Sequence, residues 1–382
     1  MANYSTVLNQ LLHLIPRYNF ERIVNSFEAD KYVKTLKCWN QFTSLLYAQA
    51  SGKATLREIT QGLEINNTKL YHLGLPTVKR STLAEANQNR SYEIYEKLFY
   101  KTVELCKSVT PKHDFKFKNP LYTFDASTID LCLSAFPWAR FRTAKGAFKL
   151  HCLYSNSGNI PEFIRMTDAK VADVTVAKKE LRVIPDSIYC FDKAYSCFEL
   201  WKNIDLQKGY FVSKLKRNIK YKITGQHTET LKKGILSDEI IRVENKKYSK
   251  PLRMIRHFDI ETGELTVLIT NNLRLAPATI AKIYKTRWQI EIFFRWIKQN
   301  LKIKSFLGTS KNAVMTQVWV AMIYYLLLAY IKYQSKYGKS LYYLHRIVKE
   351  ALTARLSLMD LLRVTPSKIQ DFKIKEFQHS FW

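Results

Sequence analysis

IYKTRWQIEIFFRWIKQNLK, residues 283–302, carries two periodic faces at once. Tyr284, Arg287, Glu291 and Lys298 follow one another by steps of three, four and seven. At 3.6 residues per turn, those steps keep them on one side of a helix. Ile290, Phe294, Ile297 and Leu301 form a separate apolar stripe of the same period. One face is suited to a core, and the other presents a carboxylate flanked by Arg, Lys and Tyr. On periodicity alone the polar face reads as a solvated surface on which Arg287 and Glu291 make an ordinary (i, i+4) ion pair.

Two aspartates upstream share a local setting. Asp125 directly follows Leu-Tyr-Thr-Phe, and Asp192 directly follows Ile-Tyr-Cys-Phe. Each carboxylate therefore stands at the carboxyl end of a short apolar strand, the edge at which open α/β sheets carry their sites. If the two strands are neighbours, both carboxylates face one crevice and need a cation between them, and oxygen-only ligands suit Mg²⁺ or Mn²⁺. The ordinary readings stand beside this one: Asp125 as a turn residue in Asp-Ala-Ser-Thr, and Asp192 as a helix N-cap before Lys193-Ala-Tyr-Ser. Asp130 lies past the strand end, and Asp173 reads as an N-cap.

Around these points the chain divides by pattern. Residues 1–118 read as helical, with apolar positions three and four apart (Phe42, Leu45, Leu46) and Gly52 closing the run. Thr55–Glu58 and Thr82–Glu85 fit capping boxes. This region is either a helix-turn-helix-like DNA reader or a plain helical bundle. PKHDFKFKNP (111–120) reads as a polar linker. Strands follow at 121–124, 148–154 and 160–166, the last two joined by a turn at Ser157-Gly158-Asn159. A helix runs from Asp173 to about Arg182, then come a strand at 187–191, a helix, and a strand at 210–213. Residues 216–270 contain several short strand-like pieces (KYKI, GILSDEIIRV, LRMIRHF, ELTVLIT) and read as a β-rich insertion. Pro277 opens a helix to about Leu301, and helices follow near 313–332 and 340–363. This order is that of a ribonuclease H-like α/β core.

Composition narrows the partners. The 382 residues are 47% apolar, enough for two or three globular domains. Lys and Arg number 61 against 32 Asp and Glu, a formal charge of +29 that suits a polyanion: nucleic acid or an anionic membrane. The start, MANYSTVLNQ, lacks the pattern of a signal peptide. The apolar run Val318–Ile331 is shorter than the roughly 18 to 20 residues of a spanning helix, so a buried core helix is expected and membrane is not. Cys38, Cys106, Cys132, Cys152, Cys190 and Cys197 have no zinc-ligand spacing and read as reduced thiols of a cytoplasmic protein.

Tyr284-x2-Arg287-x3-Glu291-x6-Lys298 resembles the signature of the insertion-sequence DDE transposases, in the cut-and-paste branch named insertion sequence four. The resemblance extends to FDAST at Asp125, Lys-Leu-His at 149–151, FDKAY at Asp192 and Thr-Asn-Asn at 270–272. It also includes KYVKTLKCWNQ and YHLG near the start, and so covers nearly the whole chain. It implies an α/β fold: a ribonuclease H-like catalytic core (119–215 and 271–335) with a β-rich insertion (216–270), an all-α N-terminal DNA-binding domain (1–118) and a C-terminal helical region (336–382). It implies two Mg²⁺ or Mn²⁺ ions held by Asp125, Asp192 and Glu291, the catalytic residues. Tyr284, Arg287, Trp288, Lys298, Lys149 and Lys193 are the expected DNA contacts, and His151 is either a further contact or a strand-packing residue. In members of this branch an aromatic residue of the insertion stacks on a flipped base during hairpin formation. Here no Trp lies between 202 and 287, which leaves Tyr221, Tyr248 and Phe258, with Trp288 beside the site.

The expected activity is metal-dependent cleavage at transposon ends and strand transfer into target DNA. The expected partners are double-stranded DNA (terminal inverted repeats and target) and a second copy of the chain on paired ends, with Leu358, Leu361 and Leu362 as dimer contacts. The expected place is the bacterial cytoplasm, at the nucleoid. Two other readings remain: a structure-selective nuclease of the same fold, and a non-catalytic DNA-binding regulator.

Overall fold

The computed structural model describes residues 5–142, 145–227, 234–260, 262–301 and 306–363, so 364–382 of the expected C-terminal region lie outside the described residues. The chain forms two compact units: one of residues 1–111, 130–140 and 295–382, the other of 112–129 and 141–294.

The second unit is built on one mixed sheet. Its strands are β1 (Leu121–Leu131), β2 (Arg140–Arg142), β3 (Lys145–Ser155), β4 (Ile160–Asp168), β5 (Ile188–Phe191), β6 (Tyr210–Lys214), β7 (Tyr221–Gln226), β8 (Ile235–Val243), β9 (Leu252–Asp259) and β10 (Glu264–Thr270). The spatial order is β2-β3-β1-β5-β6-β10-β9-β8-β7, with β4 on β3. In chain order the five strands β4-β3-β1-β5-β6 run third, second, first, fourth, fifth, which is the ribonuclease H-like arrangement. The β3–β4 hairpin turns at Gly158 and Asn159, both with positive φ, as Ser-Gly-Asn leads one to expect. The β-rich insertion is β7–β10. It continues the same sheet, because β10 pairs antiparallel with β6.

Alternation along β1 and β5 sorts the two faces. Tyr122, Phe124, Tyr189 and Phe191 enter a core with Val176 and Ala177 of the helix Asp173–Glu180 and Leu200 and Trp201 of the helix Phe198–Leu206. Leu121 and Ile188 enter the opposite core, with Ile280 and Ile283 of the helix Pro277–Thr286. The segment read as a polar linker is docked rather than free: Phe115 and Phe117 stack on each other and pack against this second core.

The first unit is helical and draws on both ends of the chain. Val7 and Leu8 amides donate to the Ala354 and Leu352 carbonyls. Asn312 Nδ2 donates to the Asn87 carbonyl at 2.9 Å and to that of Arg90. Its central element is the helix Lys311–Gln334, long and apolar enough to cross a membrane, yet 94% of that apolar window is buried inside the protein. It is the core helix expected of the run Val318–Ile331. Thr55 caps its helix as expected, accepting from Glu58 N at 3.1 Å. Thr82 does not, because the helix begins at Arg80 and Thr82 lies within its first turn. Leu358 and Leu362, expected at a dimer contact, are wholly buried in this unit, where packing within the chain has already used their apolar surface.

Candidate active site

Parallel pairing of β1 with β5 ends at Phe124 opposite Phe191. Asp125 and Asp192 are the next residue of each strand, so the two carboxylates leave the sheet on neighbouring strands. Both share the parity of Leu121 and Ile188, and so they face the side covered by Pro277–Thr286 and its continuation. β1 does not end at Asp125; it runs on to Leu131, and Asp125 sits where β1 parts from β5. Its Oδ1 accepts the Ala126 amide at 2.8 Å. Burial pushes its carboxyl up to about 6, opposed by the Ala126 amide and the Arg287 guanidinium. Asp192 is the N-cap residue of a single 3₁₀ turn, as its ordinary reading has it, but its side chain makes no capping hydrogen bond. Ser213 Oγ on β6 donates to the Asp192 carbonyl at 3.3 Å.

The helix expected from Pro277 to about Leu301 is interrupted at Arg287, between Pro277–Thr286 and Trp288–Asn300. Arg287 N donates to Tyr284 O, and Ile290 N to Arg287 O, both three residues back, so the chain tightens there into a 3₁₀-type turn. The apolar stripe is as expected, with Ile290, Phe294, Ile297 and Leu301 all buried. Phe293 packs against Tyr154 of β3, with ring centroids 5.1 Å apart and the planes tilted by 36°. Arg287 Nη1 lies 2.5 Å from Glu291 Oε1 and 3.8 Å from Asp125 Oδ2. Arg287 is 16% exposed and Glu291 32%. The ordinary (i, i+4) pair is thus present, but it is half-buried and includes a third charge. The Tyr284 ring lies 5.8 Å from the guanidinium.

The other expected contacts fall into different settings. Lys193 is exposed and Trp288 is half exposed. Lys298, on the same helix seven residues beyond Glu291, is half-buried. Lys149 on β3 is turned inward: Nζ lies 2.9 Å from Asp173 Oδ1 and donates to the Val171 carbonyl at 2.9 Å. His151 is fully buried, its Nε2 2.8 Å from Thr167 Oγ1, and burial holds its imidazole down at about 4. Those features match the strand-packing reading. Asp173 is the first residue of its helix rather than the cap; Ala172 precedes it as the N-cap residue. Of the insertion aromatics, Tyr248 is buried in the core and Tyr221 packs against it, while Phe258 is 39% exposed.

The structure also explains residues whose work was not legible beforehand. Thr270 Oγ1 donates to the Phe211 carbonyl, Asn271 Oδ1 accepts the Phe211 amide at 2.9 Å, and Asn272 Oδ1 accepts the Arg274 and Leu275 amides. The Thr-Asn-Asn run thus clamps β6 to the end of β10 and shapes the turn into the site helix. In the insertion, Arg253 and Asp238, both 1% exposed, make a bidentate pair, and Arg253 Nη1 also donates to the Leu275 carbonyl. Nothing in the local sequence distinguishes that pair from surface charges.

Among the described residues no three acidic, histidine or cysteine side chains stand close enough to hold a metal ion as they are. Arg287 lies between Asp125 and Glu291 and supplies the balancing charge. Two aspartates on adjacent parallel strands, with a glutamate on the helix over the same face, would offer oxygen donors only, which suit a hard divalent cation.

A transposase DDE domain model matches residues 116–327, more than half of the chain, and a domain of unknown function (DUF4372) matches residues 3–76. A Sinorhizobium fredii protein named as a transposase, y4zB, is 34% identical over 197 residues, covering 50% of this chain and 55% of its own length. A Geobacillus stearothermophilus protein named as the transposase of insertion sequence element IS5377 is 27% identical over 69% of this chain and 70% of its own. A Synechocystis protein named as the transposase of element IS4SA is 23% identical over 77% of this chain and 84% of its own. A piggyBac transposase synaptic complex with hairpin DNA has a TM-score of 0.48 at 11% identity, covering 100% of this chain and 85% of that one. With its strand order, its aspartates side by side on adjacent parallel strands and a family match over more than half its length, the chain belongs to the DDE-domain transposases of bacterial insertion sequences.

Proposed function

We propose that this transposase works by cut and paste: it cleaves DNA at the terminal inverted repeats of its element and joins the freed ends to a target. The supporting observation is the side-by-side exit of Asp125 and Asp192 from β1 and β5 beneath the helix of Glu291. In this reading Asp125, Asp192 and Glu291 hold two Mg²⁺ or Mn²⁺ ions. When bound, such ions activate a water or a DNA 3′-hydroxyl and stabilise the leaving oxygen of an in-line displacement at phosphorus. The chain's own residues prepare the ground. Arg287 holds the negative charge of Asp125 and Glu291 in balance, with Tyr284 against its guanidinium. Burial raises the Asp125 carboxyl, and the Ala126 amide and Arg287 guanidinium oppose that rise and favour the charged form a cation requires. Trp288 and Lys193, both open to solvent, meet the DNA at the site, and Lys298 adds a cation along the same helix. A contact of Lys149 with phosphate exchanges its bond to Asp173 for one to DNA. Residues 1–118 supply recognition of the ends, and two copies of the chain act on paired ends in the cytoplasm.

The decisive experiment is a strand-transfer assay with the inverted repeats that flank the reading frame, a supercoiled target and Mg²⁺. Joined products support the proposal. Cleavage without joining makes the protein a nuclease, and binding without cleavage makes it a regulator.

A further inference from the structure

We propose that Tyr195 is a positioning residue of the active site: its buried hydroxyl orients the Asp125 carboxylate toward a divalent cation. The proposal rests on the reading of Asp125 as a metal ligand.

Tyr195 lies three residues after Asp192, at the end of the 3₁₀ turn Lys193–Tyr195. Its ring is 1% exposed and packs against the two phenylalanines that immediately precede the aspartates. The centroid distances are 5.7 Å to Phe124, edge-on, and 5.7 Å to Phe191. One side chain thus braces the last paired residues of both strands. A phenylalanine would meet that packing need; the hydroxyl needs a further reason. It is buried and makes no hydrogen bond of ordinary geometry among the described residues. Buried hydroxyls are rarely left so. The charges around it are Asp125, Asp173 and Asp192, and the carboxylate within its hydrogen-bonding reach is Asp125. A phenol carries its proton at neutral pH, and so it can face Asp125 only as a donor. On its other sides Asp125 has the Ala126 amide at Oδ1 and Arg287 at Oδ2. A phenolic donor restrains rotation of the carboxylate, the usual work of groups that stand behind a metal ligand.

The test uses the full chain, with Mn²⁺ as the probe. Tyr195→Phe keeps the ring and removes only the hydroxyl. Mn²⁺ affinity is measured by calorimetry, and Mn²⁺ dependence by cleavage of a terminal-repeat duplex. The expected result is affinity weaker by on the order of tenfold, with the half-maximal Mn²⁺ concentration raised in proportion and cleavage restored at saturating Mn²⁺. In metal-free protein, the melting-temperature shifts of Tyr195→Phe and Asp125→Asn should be non-additive, as for two groups that share one hydrogen bond. Wild-type Mn²⁺ affinity in Tyr195→Phe, or additive shifts, overturns the inference. Asp125→Asn separates the two failures. If it binds Mn²⁺ and cleaves as wild type, the active-site reading is lost. If it is inert while Tyr195→Phe behaves as wild type, only the role of Tyr195 is lost.

Discussion

Phe124 and Phe191 face each other as the last paired residues of two parallel strands, and each is followed by an aspartate. Parallel register therefore sets Asp125 beside Asp192 by backbone geometry alone, on a sheet held rigid by cores on both faces. Glu291 reaches the same side on a helix whose buried stripe fixes its rotation.

That arrangement makes Glu291→Gln informative. The amide keeps the shape, removes the charge a cation requires, and loosens the hold on Arg287. Cleavage should fall by about a hundred- to a thousandfold, on the scale seen when a charge-stabilising group is removed. Binding of end DNA should stay within a few-fold of wild type. Paired gel-shift and cleavage titrations measure both, and near-wild-type cleavage would show that the helix serves only as a basic surface.

Lys298→Ala should behave in the opposite way. Loss of one phosphate-neutralising cation should weaken end binding and lower the slope of log K against log salt by about one. Cleavage at saturating protein should suffer less than in Glu291→Gln. An unchanged salt slope would remove Lys298 from the DNA contacts.

The oxygen-only donor set predicts that activity requires Mg²⁺ or Mn²⁺, is abolished by EDTA, and returns on adding either ion without zinc. Cleavage in EDTA, or a need for stoichiometric zinc, would contradict it.

Arg253→Met tests the insertion. It strands the Asp238 carboxylate in a site where both partners are 1% exposed. Breaking one side of such a pair costs about 3–5 kcal/mol. Urea unfolding should register that loss, and the double variant Arg253→Met with Asp238→Leu should regain most of it. A cost below about 1 kcal/mol for the single change would mean that the pair is no more than a surface ion pair in energy.

His345 gives a pH dependence. Burial, aided by Lys349, lowers its imidazole from 6.5 to about 4, and its Nδ1 lies 3.0 Å from Tyr324 Oη. The unfolded chain therefore binds a proton between pH 6.5 and 4 that the folded chain refuses. Stability is full above 6.5, is lost as the pH falls through that window, and levels off below 4, by up to about 3 kcal/mol. His345→Gln should show a smaller loss between pH 7 and 4.5 in urea titrations. Equal losses in both proteins would assign the acid sensitivity elsewhere.

Much of this protein is determined locally and so is legible in its sequence. Short runs of aromatic and branched residues marked the strands, Ser157-Gly158-Asn159 announced a turn that needs positive φ, and the Ile290–Leu301 stripe set the buried face of the site helix. These follow from backbone periodicity and side-chain chemistry within a few residues, and the four-residue signature added the family. Tertiary structure decided the rest. Only pairing across more than sixty intervening residues makes Asp125 and Asp192 neighbours. Only packing turns Arg287 from a surface cation into the charge between Asp125 and Glu291, and Lys149 toward Asp173. It likewise docks Phe115 and Phe117 of a polar-looking linker and buries Leu358 and Leu362. A side chain's partner is set by which distant segment the chain folds against it, and periodicity, which speaks only of near neighbours, carries no record of that choice.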